Sequence, residues 1–188
     1  MEKDMTVGNP AKIIWNFTLP VVTGNIFQQF YNMVDTVIVG KFVGTNALAA
    51  VGATGTICFL ILGFLMGLTA GFTVLTSQRF GAGDMAGMRK TVGSAAVLSV
   101  IISIIMTVVS MAGMKPLLKL MNTPEDIFHD AYMYIMIICA GIFAQVLYNL
   151  LAGILRALGN SKTPLYFLLF SAVLNILLDL LLIIVFHL

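Results

Sequence analysis

The sequence predicts an all-α membrane protein of about five transmembrane helices, and three observations carry that expectation. Of the 188 residues, 60% are hydrophobic and only 10% charged, with a mean hydropathy of +1.02. A water-soluble domain carries roughly 25% charged residues because its surface must face water. Lipid is therefore the expected solvent for most of this surface. Second, uncharged runs long enough for a crossing of about 20 residues dominate the chain, without the strict alternation of barrel strands. Third, lysine and arginine are distributed unevenly between alternate connections. With a cytoplasmic N-terminus, the inner segments hold Lys3, Lys12, Arg79, Arg89, Lys90, Arg156 and Lys162, and the outer ones only Lys41, Lys115 and Lys119. Basic residues are retained on the inner side of a cell membrane, so this bias sets the orientation.

Five apolar stretches follow in order: 13–40, 46–78, 91–114, 131–155 and 164–188. The first contains Pro20, which lacks a backbone donor and predisposes a helix to kink, and one acid, Asp35. The second belongs to an uncharged run longer than one crossing needs; Gly63, Gly67 and Gly71 form a small-residue ridge suited to close helix approach. Residues 79–90 then read as a polar loop. The third stretch carries a hydroxyl stripe, Ser99, Ser103, Thr107 and Ser110, expected to pack. Residues 115–130, with two prolines and three acids, read as a loop with room for a short interfacial helix. The fourth stretch ends before Arg156, where 156–164 is a tight basic turn, and the fifth is interrupted by Asp179.

Function classes fall away quickly. There is no GxxxxGK[ST] phosphate loop, no HExxH and no nucleophile elbow, so neither ATP-driven pumping nor an enzyme is expected. Cys58 and Cys139 lie in separate apolar runs and read as packing residues. His129 and His187 are isolated. A net charge of +2 without any basic run gives nucleic acid no footing.

What remains is a set of polar groups at lipid depth. An aspartate at the centre of a membrane helix costs about 2.5–3.5 kcal/mol on insertion scales, so it turns to water or to protein. Asn25, Gln28, Asn32 and Asp35 recur at helical spacing on one face, widened by Gln29 and Thr36. Such a stripe lines a polar cavity or glues helices through hydrogen bonds; the ionisable group favours the cavity. Asn175 and Asp179 share a face of the fifth stretch. Both aspartates fall past the middle of inside-to-outside helices, hence at similar depth. Two carboxylates and an amide at one level can hold a cation or share a proton; separate pairing is the alternative. Gln145 and Asn149 share a face in the fourth stretch and are further cavity candidates.

Several patches then fit one pattern: LPVVTGNIFQQFYNMVDTVIVGKFVG followed by ALAAVG, SQRFGAGD in the second connection, and GILRALGNSKTP in the fourth. Together, and in this order, they resemble the N-terminal half of the multidrug and toxic compound extrusion family of secondary transporters. The resemblance implies an antiporter, without cofactors, that exports small amphiphilic or cationic compounds in exchange for Na⁺ or H⁺ across the cell membrane. The fold it implies is two six-helix lobes. In the first lobe the family's coupling acid matches Asp35, its Asn–Asp pair matches Asn175 and Asp179, and its bending proline matches Pro20. Five helices are most of one lobe. The sixth helix and the second lobe are missing, and rocking transport needs two bodies, so a longer product or a partner chain is expected to supply the rest. The alternatives are a lipid-linked precursor flippase of the same superfamily and a truncated membrane module that moves nothing.

Overall fold

The computed structural model describes the backbone of residues 8–185 and the side chains of residues 8–183; Lys3 and His187 lie outside the described residues. Within them the protein is helical, with no strand. Six α-helices follow in order: α1 (Pro10–Ile38), α2 (Thr45–Gly81), α3 (Met85–Leu120), α4 (Glu125–Ala140), α5 (Ile142–Ala157) and α6 (Lys162–Leu180). Two wider π-helical turns extend α1 and α6, over Val39–Val43 and Leu181–Val185.

The helices outrun the apolar stretches because local chemistry places the turns elsewhere than composition suggests. Residues 79–90, expected as a loop, are mostly helix. Only Ala82 to Asp84 connect α2 to α3, with Gly83 at φ +72°. Asp84 caps α3 by accepting from Gly87 N–H at 2.8 Å, and its carboxylate pairs with Arg79 Nη1 at 2.8 Å. Together these hold the Asp84 carboxyl below its ordinary range, the Gly87 amide contributing most.

Residues 115–130 are likewise mostly helix. Pro116 sits inside the last turns of α3, and the helix ends at Leu120, two residues before Asn122, whose φ of 53° is left-handed. There the Thr123 amide returns to the Leu118 carbonyl at 3.2 Å, closing the end. Between α5 and α6, Gly159 takes φ +80°, and Asn160 Oδ1 accepts from Thr163 N–H at 3.1 Å.

The fourth stretch is not one straight span. It breaks at Gly141 into α4 and α5, which meet at 45°. Glycine suits this position, since a Cβ on Gly141 would sit 3.3 Å from the Ile138 carbonyl. Among the described residues, α2, α3 and the α6 segment are each long and apolar enough to cross a membrane, and the bent α4–α5 pair is a fourth candidate. Helix α1 has the length, at 29 residues, but its amides and acid keep it out of that group.

The chain forms two compact units. One comprises residues Met1–Thr45 and Leu155–Leu188, and the other Asn46–Ile154. The second has the larger core, in which Ile57 and Leu65 of α2, Met114 and Leu118 of α3, Ile135 and Cys139 of α4, and Ile142 and Val146 of α5 pack together. Ser99, Ser103 and Ser110 are buried, as a packing stripe requires. The glycine ridge behaves differently from expectation. A Cβ at Gly63, Gly67 or Gly71 would meet nothing within 4 Å, because α2 turns Leu65, Thr69 and Thr76 inward and leaves the ridge exposed. The close approach in this unit is at Gly153 of α5, where a Cβ would collide with the Thr73 hydroxyl of α2. Large apolar side chains such as Phe59, Ile104 and Phe170 stay exposed, which suits lipid rather than water.

Candidate cation site between two parallel helices

The first unit is built on the packing of α1 against α6. Gly24, buried on α1, lets Leu165 and Leu168 of α6 come within 3.4 Å of where its Cβ would be. Further along, Asp35 of α1 and Asp179 of α6 reach one another carboxyl to carboxyl, within hydrogen-bonding range. Both helices therefore advance together and run parallel. Beyond the acids each widens into its π-helical turn, and the two turns touch. π-Helical turns inside or at the ends of α-helices are often found at functional positions.

Two acceptor oxygens at this meeting point lack donors. Asn175 lies one turn before Asp179, and both Asn175 Oδ1 and Asp179 Oδ2 are buried with no hydrogen-bond partner. A buried acceptor without a partner forfeits about 1–3 kcal/mol, and more if it is charged. Orphaned acceptors beside a pair of carboxyl groups are what a proton or a small hard cation would satisfy. Among the described residues no group of three or more His, Cys, Asp or Glu comes together, so the donor set is two carboxylates and an amide. That set suits a monovalent cation or a proton better than a tightly held divalent metal.

The amide stripe of α1 divides. Gln28 is half-buried on the same side as Asp35, whereas Asn25, Gln29, Asn32 and Thr36 are exposed. Asn32 Nδ2 donates to Gln29 Oε1 at 3.4 Å, and the Thr36 hydroxyl donates to the Asn32 carbonyl at 2.8 Å. An open groove of about 400 Å³ runs along α1, lined by Val22, Asn25, Ile26, Gln29, Phe30 and Met33. Of the expected cavity residues, Gln28 and Asn32 flank this groove in sequence without lining it. The apolar wall was not picked out from sequence, although its helical recurrence at 22, 26, 30 and 33 was readable there.

Gln145 and Asn149 belong to the other unit, on α5, both half-buried. Asn149 Nδ2 donates to the Gln145 carbonyl at 2.9 Å, so that amide folds back onto its own helix. Pro20 lies inside α1, which continues as helix on both sides of it; its missing N–H leaves the Asn16 carbonyl without that bond.

Comparison with known proteins gives a consistent picture. The family model described as MatE matches residues 20–181. A probable multidrug resistance protein, YpnP, from Bacillus subtilis (strain 168) is 35% identical over 172 residues, covering 92% of this chain and 39% of that protein. A FAD transporter of Shewanella oneidensis is 25% identical over 178 residues, covering 92% of this chain and 38% of that one. Among solved structures, a MOP superfamily transporter from Pyrococcus furiosus superposes with a TM-score of 0.88 at 28% identity, covering 94% of this chain and 39% of that one. A MATE crystal structure in complex with the ligand MaD3S gives a TM-score of 0.87 at the same identity and coverage. The chain thus spans about 39% of the length of these relatives.

Proposed function

The chain belongs to the MatE family, and on that premise we propose that it is the cation-coupled portion of a secondary multidrug efflux transporter of the cell membrane, with its N-terminus in the cytoplasm. Asp35, Asn175 and Asp179 form the coupling site in this reading. The observation that carries it is the meeting of the Asp35 and Asp179 carboxyl groups beside the partnerless oxygens of Asn175 and Asp179. Two carboxylates this close cannot both be ionised in a low-dielectric interior without compensation. Either one proton is shared, or a cation such as Na⁺ enters and the proton leaves. The site thus has two states of similar charge, as an exchanger requires.

The cargo is amphiphilic or cationic, held on an adaptable surface where amides alternate with apolar side chains, as along the groove of α1. Gln28, Asn32, Gln145 and Asn149 are further polar contacts for that cargo. Pro20 gives α1 a point at which to bend as the cation exchanges. Transport needs a second body for alternating access, supplied by a second lobe or a partner chain. No cofactor takes part; the driving force is the gradient of Na⁺ or H⁺.

The test is cation binding by the purified chain in detergent. Adding Na⁺ to weakly buffered protein should release protons, read with a pH indicator, and Asp35→Asn or Asp179→Asn should abolish the release. Persistence of the release in both variants overturns the site. In cells carrying the completed transporter, Asp35→Asn should stop gradient-dependent extrusion of a cationic dye while membrane insertion is unchanged. Extrusion independent of both gradients overturns the exchange mechanism.

A further inference from the structure

The unit Asn46–Ile154 carries a feature that the coupling site does not use, the break in its fourth span. The hydrogen-bond ladder of α4 ends with Gly141 N–H against the Ile137 and Ile138 carbonyls, at 3.1 and 3.0 Å. It resumes in α5 with Gln145 N–H on the Gly141 carbonyl at 3.1 Å. Ile142, Phe143 and Ala144 open α5, and the first amides of a helix find no carbonyl within it. In an unbroken helix the Phe143 N–H would go to the Cys139 carbonyl one turn back. Here that carbonyl accepts from the Thr107 hydroxyl of α3 instead, at 3.4 Å.

Neighbouring hydroxyls turn back on their own helices. Ser103 of α3 donates to the Val100 carbonyl at 2.8 Å, and Thr69, Thr73 and Thr76 of α2 each donate one turn back, at 3.0, 3.0 and 2.8 Å. That local bond is the usual one for serine and threonine in a helix. Thr107 forgoes it for a carbonyl on another helix, open to it because the break has withdrawn the Phe143 amide. The bend thus rests on opposed terms. Three amides without helical partners at membrane depth drive the span toward a continuous helix. Against them stand the Thr107 bond and the burial of Cys139 and Ile142, 1% and 0% exposed, on either side of Gly141.

We propose that the Thr107 hydroxyl is a latch that holds the fourth span bent, in exchange with a continuous form. In the continuous form the Phe143 N–H takes the Cys139 carbonyl, and the hydroxyl returns to its own helix. One acceptor with two competing donors makes these forms discrete states whose populations can shift. Release removes the 45° bend and re-aims α5, which carries Gln145 and Asn149, relative to α4. Gly141 permits the bent form, because a Cβ there would crowd the Ile138 carbonyl at 3.3 Å. The device needs no ligand and does not depend on the Asp35–Asp179 pair.

Hydrogen exchange of the full chain in detergent, resolved by NMR at the amides of Ile142, Phe143 and Ala144, tests the latch. In the unmodified chain these three should exchange faster than the flanking amides of Cys139 and Val146. Thr107→Val keeps the shape and removes the donor; the three amides should then slow by roughly tenfold, the ratio that one net hydrogen bond supports. Thr107→Ser keeps a hydroxyl and should exchange like the unmodified chain. Unchanged exchange in Thr107→Val, or a slowing that Thr107→Ser shares, overturns the latch. So does a Phe143 amide as protected in the unmodified chain as its flanking neighbours. Should Thr107→Val fail to fold, Gly141→Ala decides. Alanine favours a continuous helix and crowds the bent one, so it should slow the same amides, and unchanged exchange there overturns the proposal.

Discussion

The carboxyl group of Asp35 on α1 meets that of Asp179 on α6, and the partnerless oxygens of Asn175 and Asp179 lie beside them. Parallel packing of α1 and α6, with Gly24 seated against Leu165 and Leu168, puts the two acids in register. A small slide of either helix would separate them.

Cation-dependent stability follows from that meeting. A ligand that binds only the folded state at 100 times its dissociation constant stabilises it by about 2.7 kcal/mol. Thermal unfolding in detergent should therefore shift upward with Na⁺ for the unmodified chain. Asp35→Asn and Asp179→Asn should each abolish the shift. An undiminished shift in both variants would remove the site from the account.

The α2–α3 turn gives a pH dependence of known sign. The Asp84 carboxyl titrates below its ordinary value of about 3.9, chiefly through the Gly87 amide and then through Arg79. A carboxyl lowered on folding adds stability that is complete above its unfolded value and is lost as pH falls through the folded one. Asp84→Asn should keep the cap and flatten this acid limb, while Asp84→Ala should also lower the unfolding midpoint at neutral pH. Unfolding midpoints between pH 2 and 7 measure both effects.

Gly153 of α5 faces the Thr73 hydroxyl of α2, leaving no room for a Cβ. Gly153→Ala should destabilise the chain by about 1–3 kcal/mol, the range for overpacking a filled contact. Adding Thr73→Ala should recover most of that loss, since the hydroxyl is the colliding atom. A double-mutant cycle with no coupling between the two positions would show that the helices stand further apart.

Core and lipid-facing leucines should separate cleanly. Leu118 of α3 is 0% exposed and Leu60 of α2 is 65% exposed. Leu118→Ala should cost about 2–5 kcal/mol through the cavity it leaves. Leu60→Ala should cost little, because lipid fills the space. Chemical unfolding in mixed micelles distinguishes the two.

Much of this was legible in the sequence because oil is a severe solvent. Composition, run length and basic-residue placement suffice to predict a helical membrane protein, since backbone polar groups at lipid depth must pair within their own segment. The rarity of acids in such segments singled out Asp35 and Asp179, and Asn175 came with its neighbour by helical spacing. Turn positions were harder. Polar residues around 79–90 and 115–130 suggested loops, yet Asp84 and Asn122 close helices that run well into those regions.

What sequence alone determined, then, is which residues are too polar for lipid and which helical faces they share, because period and hydropathy are local properties. Only the tertiary structure decided which of those faces meet. It joined Asp35 to Asp179, turned Asn32 and Gln29 outward, folded Asn149 back on its own helix, and left the glycine ridge of α2 without a neighbour. It also drew Cys58 and Cys139 into one core at a break that no periodicity marks. The physical reason is that contacts between distant segments depend on helix rotation and crossing, which many side chains set together and no single one encodes.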